Sequence, residues 1–388
     1  MPPKPKSRKT RTGRKGRRKS ANAYGLKVLF AALFLLGFLI ASLVLLSELR
    51  HLYRPSPPPP STPAVAVRQA ASVEDVRVEL ESALLRSGAT LDRIEARQDH
   101  GRLHIEVRGE FPTPEIRTAL KQRLALMAGH LRLESRPDVG RMTVFWGDEE
   151  RVFLHFRSPA RLPEQAGKPR LAIIMDDLGG SIATARELLD IDLPVTLSII
   201  PATAKPAQVA TLAHRRRHEV MIHIPMEPQD YPRFNPGKDA LFVNLSADEI
   251  RRRFQSYLDR VPYAVGGNNH MGSRFTEDRV GMATVMSVMK EEGLFFIDSL
   301  TSGQSIAFQE ARRAGLPAAV RDVFLDNDQD VEKISKCIRH LAAVAKKRGT
   351  ALGICHPHPQ TLEALRRAVP FFEEQGIEVV PASQILLH

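Results

Sequence analysis

From Leu171 onward, short apolar runs alternate with longer stretches whose apolar residues recur every three or four positions. The runs LAIIM, VTLSII, EVMIHI, AVGG, LFFID, AAVR, ALGIC and IEVV have the length of buried strands. Between them, IATARELLDI, AQVATLAHRRR, ADEIRRRFQSYLDRV, EDRVGMATVMSVMKEEG, SIAFQEARRAG, VEKISKCIRHLAAVAKKRG and TLEALRRAVPFFEEQG carry helical spacing. Ser246 followed by Glu249 has the pattern of a capping box, and Gly293, Gly315, Gly349 and Gly376 fall where helices end. Met282, Met286 and Met289 share one helical face and read as core. Strand alternating with helix means a parallel sheet, and about seven such units predict an α/β fold, an irregular or incomplete (β/α) barrel. Its expected extent is 170–388.

Upstream the rhythm differs. VEDVRVELESALLRSG and TPEIRTALKQRLALMAG are helical, while GRLHIEVRGEF, RMTVFW and RVFLHF read as strands, predicting a small α+β domain over 71–158. No polar cluster there has a chemical reading, so the role and any protein partner of this domain stay open. A linker spans 159–169, and a proline-rich spacer of polyproline II character occupies 48–70. Val28 to Leu46 holds no charge, and nineteen residues rising about 1.5 Å each span roughly the hydrocarbon core of a bilayer. SELRH follows in place of a small-x-small cleavage site, which favours an uncleaved anchor over 28–47 rather than a signal peptide.

Charge sharpens this picture. Residues 1–27 hold eleven Lys or Arg and no acid, and subtracting these from the formal +12 leaves about +1 for the other 361 residues. A whole-molecule nucleic-acid interaction is therefore not expected. The positive-inside rule puts the basic tail in the cytoplasm, giving a single-pass inner-membrane protein with its body in the periplasm or otherwise outside the cytoplasm. Two cysteines, Cys337 and Cys355, make no disulfide framework, although one bridge between a helix and the next strand stays open.

Parallel β/α folds carry their chemistry at the C-terminal ends of strands. Six of seven strand ends here carry a carboxylate, an imidazole or both. They supply Asp176 and Asp177, His223, Asn268, Asn269 and His270, Asp298, Asp322, and His356 with His358. Each has a plainer explanation alone: Asp298 or Asp322 as a helix N-cap, His223 as a structural histidine, Asn268 and Asn269 as turn formers. His214, His218 and His340, in or just after basic helices, read as surface residues. The coincidence across strand ends shifts the balance, and so does the adjacent acid pair, which needs a cation or a shared proton. Asp and His with open coordination point to Zn²⁺ or a similar divalent metal, and so to metal-assisted hydrolysis of an amide or ester.

IIMDDLG, HIPMEP, GGNNHMGS, FIDS, DVFLD and GICHPHP, in this order, resemble the divergent polysaccharide deacetylase family, relatives of the NodB-type carbohydrate esterases with their deformed (β/α) barrel. The resemblance implies Asp176 as catalytic base, Asp177 and His223 as metal ligands, and His356 as the acid that protonates the departing amine. The family's second ligand histidine would fall at Glu227. Either Glu227 ligates through oxygen, or His270 fills the place, or the site is weakened; His270 is favoured because imidazole keeps the Asp-His-His character. The family's Arg-x-Pro-Tyr motif is not seen, and NNHMGS stands in its place. Asn268, Asn269, Asp298, Asp322 and His358 remain as substrate-binding candidates. The expected function is membrane-anchored deacetylation of a cell-envelope polysaccharide, peptidoglycan by compartment. A deacetylase-like scaffold that binds glycan or a partner without turnover is the alternative, and a glycosidase using Asp176 with another carboxylate is a weaker third.

Overall fold

A computed structural model describes residues 33–38, 42, 72–157 and 167–387. The basic tail, the proline-rich spacer and most of the 159–169 linker lie outside the described residues, as does the expected anchor apart from 33–38 and 42, which are helical. Among the described residues no helix is long and apolar enough to cross a membrane. Residues 1–67 and 68–388 form separate units.

The larger sheet is parallel throughout. It is built from β6 (Arg170–Leu178), β7 (Thr196–Ile199), β8 (Val220–Met226), β9 (Ala264–Met271), β10 (Phe295–Asp298), β11 (Ala318–Val320), β12 (Val323–Phe324), β13 (Thr350–Cys355) and β14 (Glu378–Val379). The order is β11-β10-β9-β8-β7-β6-β13-β12, with β14 also beside β6. The two edge strands are consecutive in the chain, joined by Arg321 and Asp322 alone, so the sheet curls into a barrel closed by covalent chain rather than by a ladder. All eight apolar runs are strands and all seven periodic stretches are helices; β12 is one strand more than the pattern announced. Gly293, Gly315, Gly349 and Gly376 all take positive φ. Ser246 accepts from the Glu249 amide at 3.2 Å, while the Glu249 carboxylate turns to Arg253, so half of the capping box forms. Cys337 lies on the Val331–Arg348 helix and Cys355 on β13, and both are free.

Period-two alternation divides the barrel's core. On β6, Leu171, Ile173 and Met175 pack outward under the helices, whereas Ala172 and Ile174 face the barrel interior. On β10, Phe296 is outward while Phe295 and Ile297 are inward, and on β13 Ala351 and Cys355 are outward while Leu352 and Ile354 are inward.

A second sheet, β1 (Ile94–Asp99), β2 (Arg102–Arg108), β3 (Leu131–Arg136), β4 (Arg141–Trp146) and β5 (Glu149–Arg157), runs in the order β1-β2-β5-β4-β3. Only β2 and β5 pair in parallel. Helices Val73–Arg86 and Pro114–Met127 contribute Val76, Leu80, Leu84, Leu120 and Leu124 to its core. β1 and β3 escape the sequence pattern because charged residues dominate them; β3 buries only Leu131 and Leu133. The Val73–Arg86 helix meets the barrel at the N-terminal end of β9. Arg86 Nε donates to the Ala264 carbonyl at 3.1 Å, and the Tyr263 amide donates to Ser82 Oγ at 3.2 Å. Glu81 faces His214 at 2.5 Å, and the His214 ring stacks on Tyr263. His214 is thus a half-buried joint residue rather than the surface histidine its basic helix implied.

Candidate active site

β6 delivers the acid pair by breaking its own alternation. Asp176 continues the inward face of Ala172 and Ile174, which would send Asp177 outward. The pairing of β6 with β7 shifts between Met175 and Leu178, and Asp177 takes φ 57°, a left-handed conformation that costs a non-glycine residue roughly 1–2 kcal/mol. Gly179 follows at φ 111°, where a Cβ would strike the Thr203 hydroxyl and the Ile199 side chain. The bulge and turn bring both carboxylates to one spot.

β9 uses the same device. Val220 pairs with Ala264 but Met221 pairs with Gly266, so one residue is extra and the parity of β9 reverses. Asn268 then lies opposite His223, and His270 opposite Pro225, on the inner face.

Three candidate ligands meet here. Asp177 Oδ1 lies 3.2 Å from His223 Nε2 and 2.9 Å from His270 Nδ1. One donor atom from each of the three lies within 4.8 Å of the other two. Two imidazoles and one carboxylate, with Asp177 reachable by solvent, suit Zn²⁺, which takes three protein ligands and a fourth from outside in catalytic sites. Glu227 is turned away: Oε1 accepts from Arg274 at 2.9 Å and Oε2 from the Val243 amide at 2.8 Å.

Asp176 is 2 % exposed and lies 3.5 Å from His223 Nε2. Burial pushes its carboxyl up, against the pull of the His223 and His356 imidazoles and the Asn268 amide. Burial would also raise Asp177, yet hydrogen bonds from His223 and His270 win and hold it well below the usual carboxylate range. Burial lowers His223, but facing Asp176 and Asp177 raise it on balance.

On the other side of Asp177, His356 Nε2 lies 4.0 Å from Oδ2. Its other nitrogen is held by Asp326, whose Oδ1 is 3.1 Å from Nδ1 and whose Oδ2 accepts the His356 amide at 2.6 Å and the Thr361 hydroxyl at 2.9 Å. Despite burial, Asp326 and the two site aspartates raise the affinity of His356 for its proton. Asp326, His356 and His358 form a second set of closely spaced donors, but the Asp326 oxygens are already occupied by these bonds. His358 sits at the rim, its Nε2 3.2 Å from Gln329.

The remaining candidates fall elsewhere. Asp298 lies outward on β10 and accepts from the Leu300 amide, the Ser305 hydroxyl and the Phe308 amide, so it organises a loop rather than meeting substrate. Asp322 binds Arg348 and the Leu352 amide between the barrel's edge strands. Asn269 is enclosed and fastens Met271, Thr301 and the Ser299 amide. Asn268 is fully buried with its amide saturated by four side chains, so it stands behind the site and not on a sugar-facing surface. Asp326 is a site residue outside the expected set, although it ends DVFLD two positions after the inward Phe324, a parity that announces it.

Residues 173–386, more than half of the chain, match the sequence profile of the divergent polysaccharide deacetylases. The chain belongs to this family. It is 36% identical over 224 residues to the uncharacterized protein YibQ of Escherichia coli (strain K12), covering 58% of this chain and 69% of that one. An uncharacterized protein of Haemophilus influenzae is 30% identical over 197 residues, 51% of this chain and 70% of its own. Among solved structures, the uncharacterized protein ATU2773 of Agrobacterium tumefaciens C58 aligns with a TM-score of 0.55 at 27% identity, over 57% of this chain and 92% of that one. For this divergent polysaccharide deacetylase the shared region contains β7 to β13 and the whole side-chain constellation described above.

Proposed function

We propose that the chain is a metal-dependent deacetylase acting on an acetylated cell-envelope glycan. The observation that carries this reading is the meeting of Asp177, His223 and His270 beside a buried carboxylate, Asp176, and opposite an imidazole, His356, that Asp326 orients. Asp177, His223 and His270 would hold the metal, zinc by donor set. Such a metal acidifies water and polarises an acyl carbonyl. Asp176, with its raised proton affinity, accepts the proton from the attacking water. His356 gives a proton from Nε2 to the departing amine or alkoxide, while Asp326 keeps Nδ1–H in place and favours the cationic ring.

The envelope setting rests on the N-terminal segment. Residues 28–47 would anchor the chain, with the basic tail in the cytoplasm and the barrel outside it, where peptidoglycan is the acetylated polymer at hand. Leu33, Phe34, Leu35, Leu36 and Phe38 are helical and each more than half exposed, which suits a lipid-facing surface.

The test is elemental analysis of the purified full-length chain beside acetate release from acetylated glycans. About one divalent metal per chain is expected, lost in Asp177→Asn, His223→Ala and His270→Ala but kept in Glu227→Gln, since three protein ligands complete a catalytic zinc site. Failure to bind metal in excess zinc, or no acetate release from the metal-loaded protein, would overturn the reading.

A further inference from the structure

Asn268 offers two donor hydrogens on Nδ2 and two acceptor lone pairs on Oδ1, and every one is engaged. Nδ2 donates to Asp176 Oδ1 at 2.9 Å and Oδ2 at 3.1 Å, and to Ser299 Oγ at 3.0 Å. Oδ1 accepts from Ser198 Oγ at 2.5 Å and faces His223 Nδ1 at 3.0 Å. Geometry favours this orientation of the amide, because reversing it would set a carbonyl oxygen against both Asp176 oxygens, at 2.9 and 3.1 Å. With Oδ1 toward His223, Nδ1 must be the donor, and in the neutral ring the lone pair lies on Nε2, where it would serve a metal ion held with Asp177 and His270.

We propose that Asn268 is the positioning residue of this site: one buried side chain that holds the proton-accepting carboxylate of Asp176 with its amino end and sets the tautomer of His223 with its carbonyl end. The proposal rests on the deacetylase reading for the roles of Asp176 and His223, but its geometric content is independent of turnover. Distance and angle between proton acceptor and metal ligand are then set by one rigid planar group, supported by a serine on either side. The β9 bulge is what places it, since only the shifted register sets Asn268 opposite His223.

Two substitutions separate the ends of the amide. Asn268→Asp keeps an acceptor for His223 and removes the donor to Asp176, whereas Asn268→Ala removes both. Zinc affinity, measured by competition with a chromophoric chelator, should fall about 10–100-fold in Asn268→Ala and stay within a few-fold in Asn268→Asp. Acetate release at saturating zinc should fall in both, by about a hundredfold. Asn269→Ala, which disturbs the neighbouring loop contacts, should change neither. The wild-type chain supplies the second measurement. With zinc removed and at alkaline pH, ¹⁵N-edited NMR of the imidazoles should find the His223 resonance, assigned by its loss in His223→Gln, as the Nδ1–H tautomer. The Nε2–H tautomer in wild type, or equal zinc affinities in Asn268→Asp and Asn268→Ala, would overturn the proposal. A wild-type chain with the Nδ1–H tautomer but no acetate release would instead defeat the deacetylase reading and leave the clamp standing.

Discussion

At the C-terminal end of the barrel strands Asp176 is buried beneath Asn268, His223 and His356; at the N-terminal end Glu219 is buried beneath Thr196 and Ser383. Burial pushes both carboxyls up. Glu219 accepts from the Thr196 hydroxyl at 3.0 Å and the Ser383 amide at 3.2 Å, all of them structural partners. Asp176 lies beside His223 Nε2, and that atom converges with His270 Nδ1 on a second carboxylate, Asp177. A cavity of about 760 Å³ also lies at the N-terminal end, beside Glu219, His218, Arg217 and Phe295. Of the polar groups around it, His218 is bound to the Val195 carbonyl and Arg217 to that of Leu91, while the buried Arg86 Nη1 has no hydrogen bond and only an ion pair with Glu292 at 3.6 Å. Neither a shifted carboxylate nor room for a ligand marks the chemistry here. The convergence of donor atoms does.

Neutralising each acid in turn separates the two ends of the barrel. Asp176→Asn keeps the shape and loses the proton acceptor, so acetate release should drop about a thousandfold, within the usual range for a general base, with metal content unchanged. Glu219→Gln should leave the rate alone. Because the folded state raises the proton affinity of Glu219, its contribution to stability is present below the ordinary carboxylate range and lost as pH rises through its folded value. Glutamine removes that loss, so Tm near neutrality should hold or rise; a fall in rate would erase the distinction between the two ends.

A second, smaller effect is expected at the joint. Glu81 is buried and paired with His214 and Arg77, so Glu81→Ala should cost about 3–5 kcal/mol in urea unfolding while metal content stays at the wild-type value. Burial opposes the Glu81 charge, but His214 and Arg77 overcome it and hold the carboxyl low. Its stabilisation is therefore present above the ordinary carboxylate range and lost as pH falls through the depressed value. The acid-side decline of the urea midpoint should be shallower in Glu81→Gln than in wild type.

The smallest effects separate loop architecture from substrate contact. Asp298→Ala should destabilise by about 2 kcal/mol, since it strands buried donors, and Asp322→Ala by about 1 kcal/mol. Both should retain wild-type acetate release per folded molecule, as titrated by bound metal. A selective rise in KM at either position would return that residue to the substrate surface.

Most of this molecule was legible in its pattern. Every apolar run and periodic stretch after Leu171 became an element, because buried parallel strands and amphipathic helices need those periods to cover their apolar faces. The acid and imidazole groups at strand ends were legible for the same reason. Parity was the neglected signal: continuing the alternation of β10 sends Asp298 outward, and continuing that of β12 sends Asp326 inward. Two bulges defeat parity altogether. The bulges after Met175 and at Val265 turn Asp177 and His270 toward His223 against the period of their strands, and no residue pattern announces them. A bulge depends on how neighbouring strands pair, and pairing joins residues distant in sequence. Composition and period thus determined the barrel and supplied its chemical groups, while tertiary register decided which of them meet, and made Asn268 the link between them.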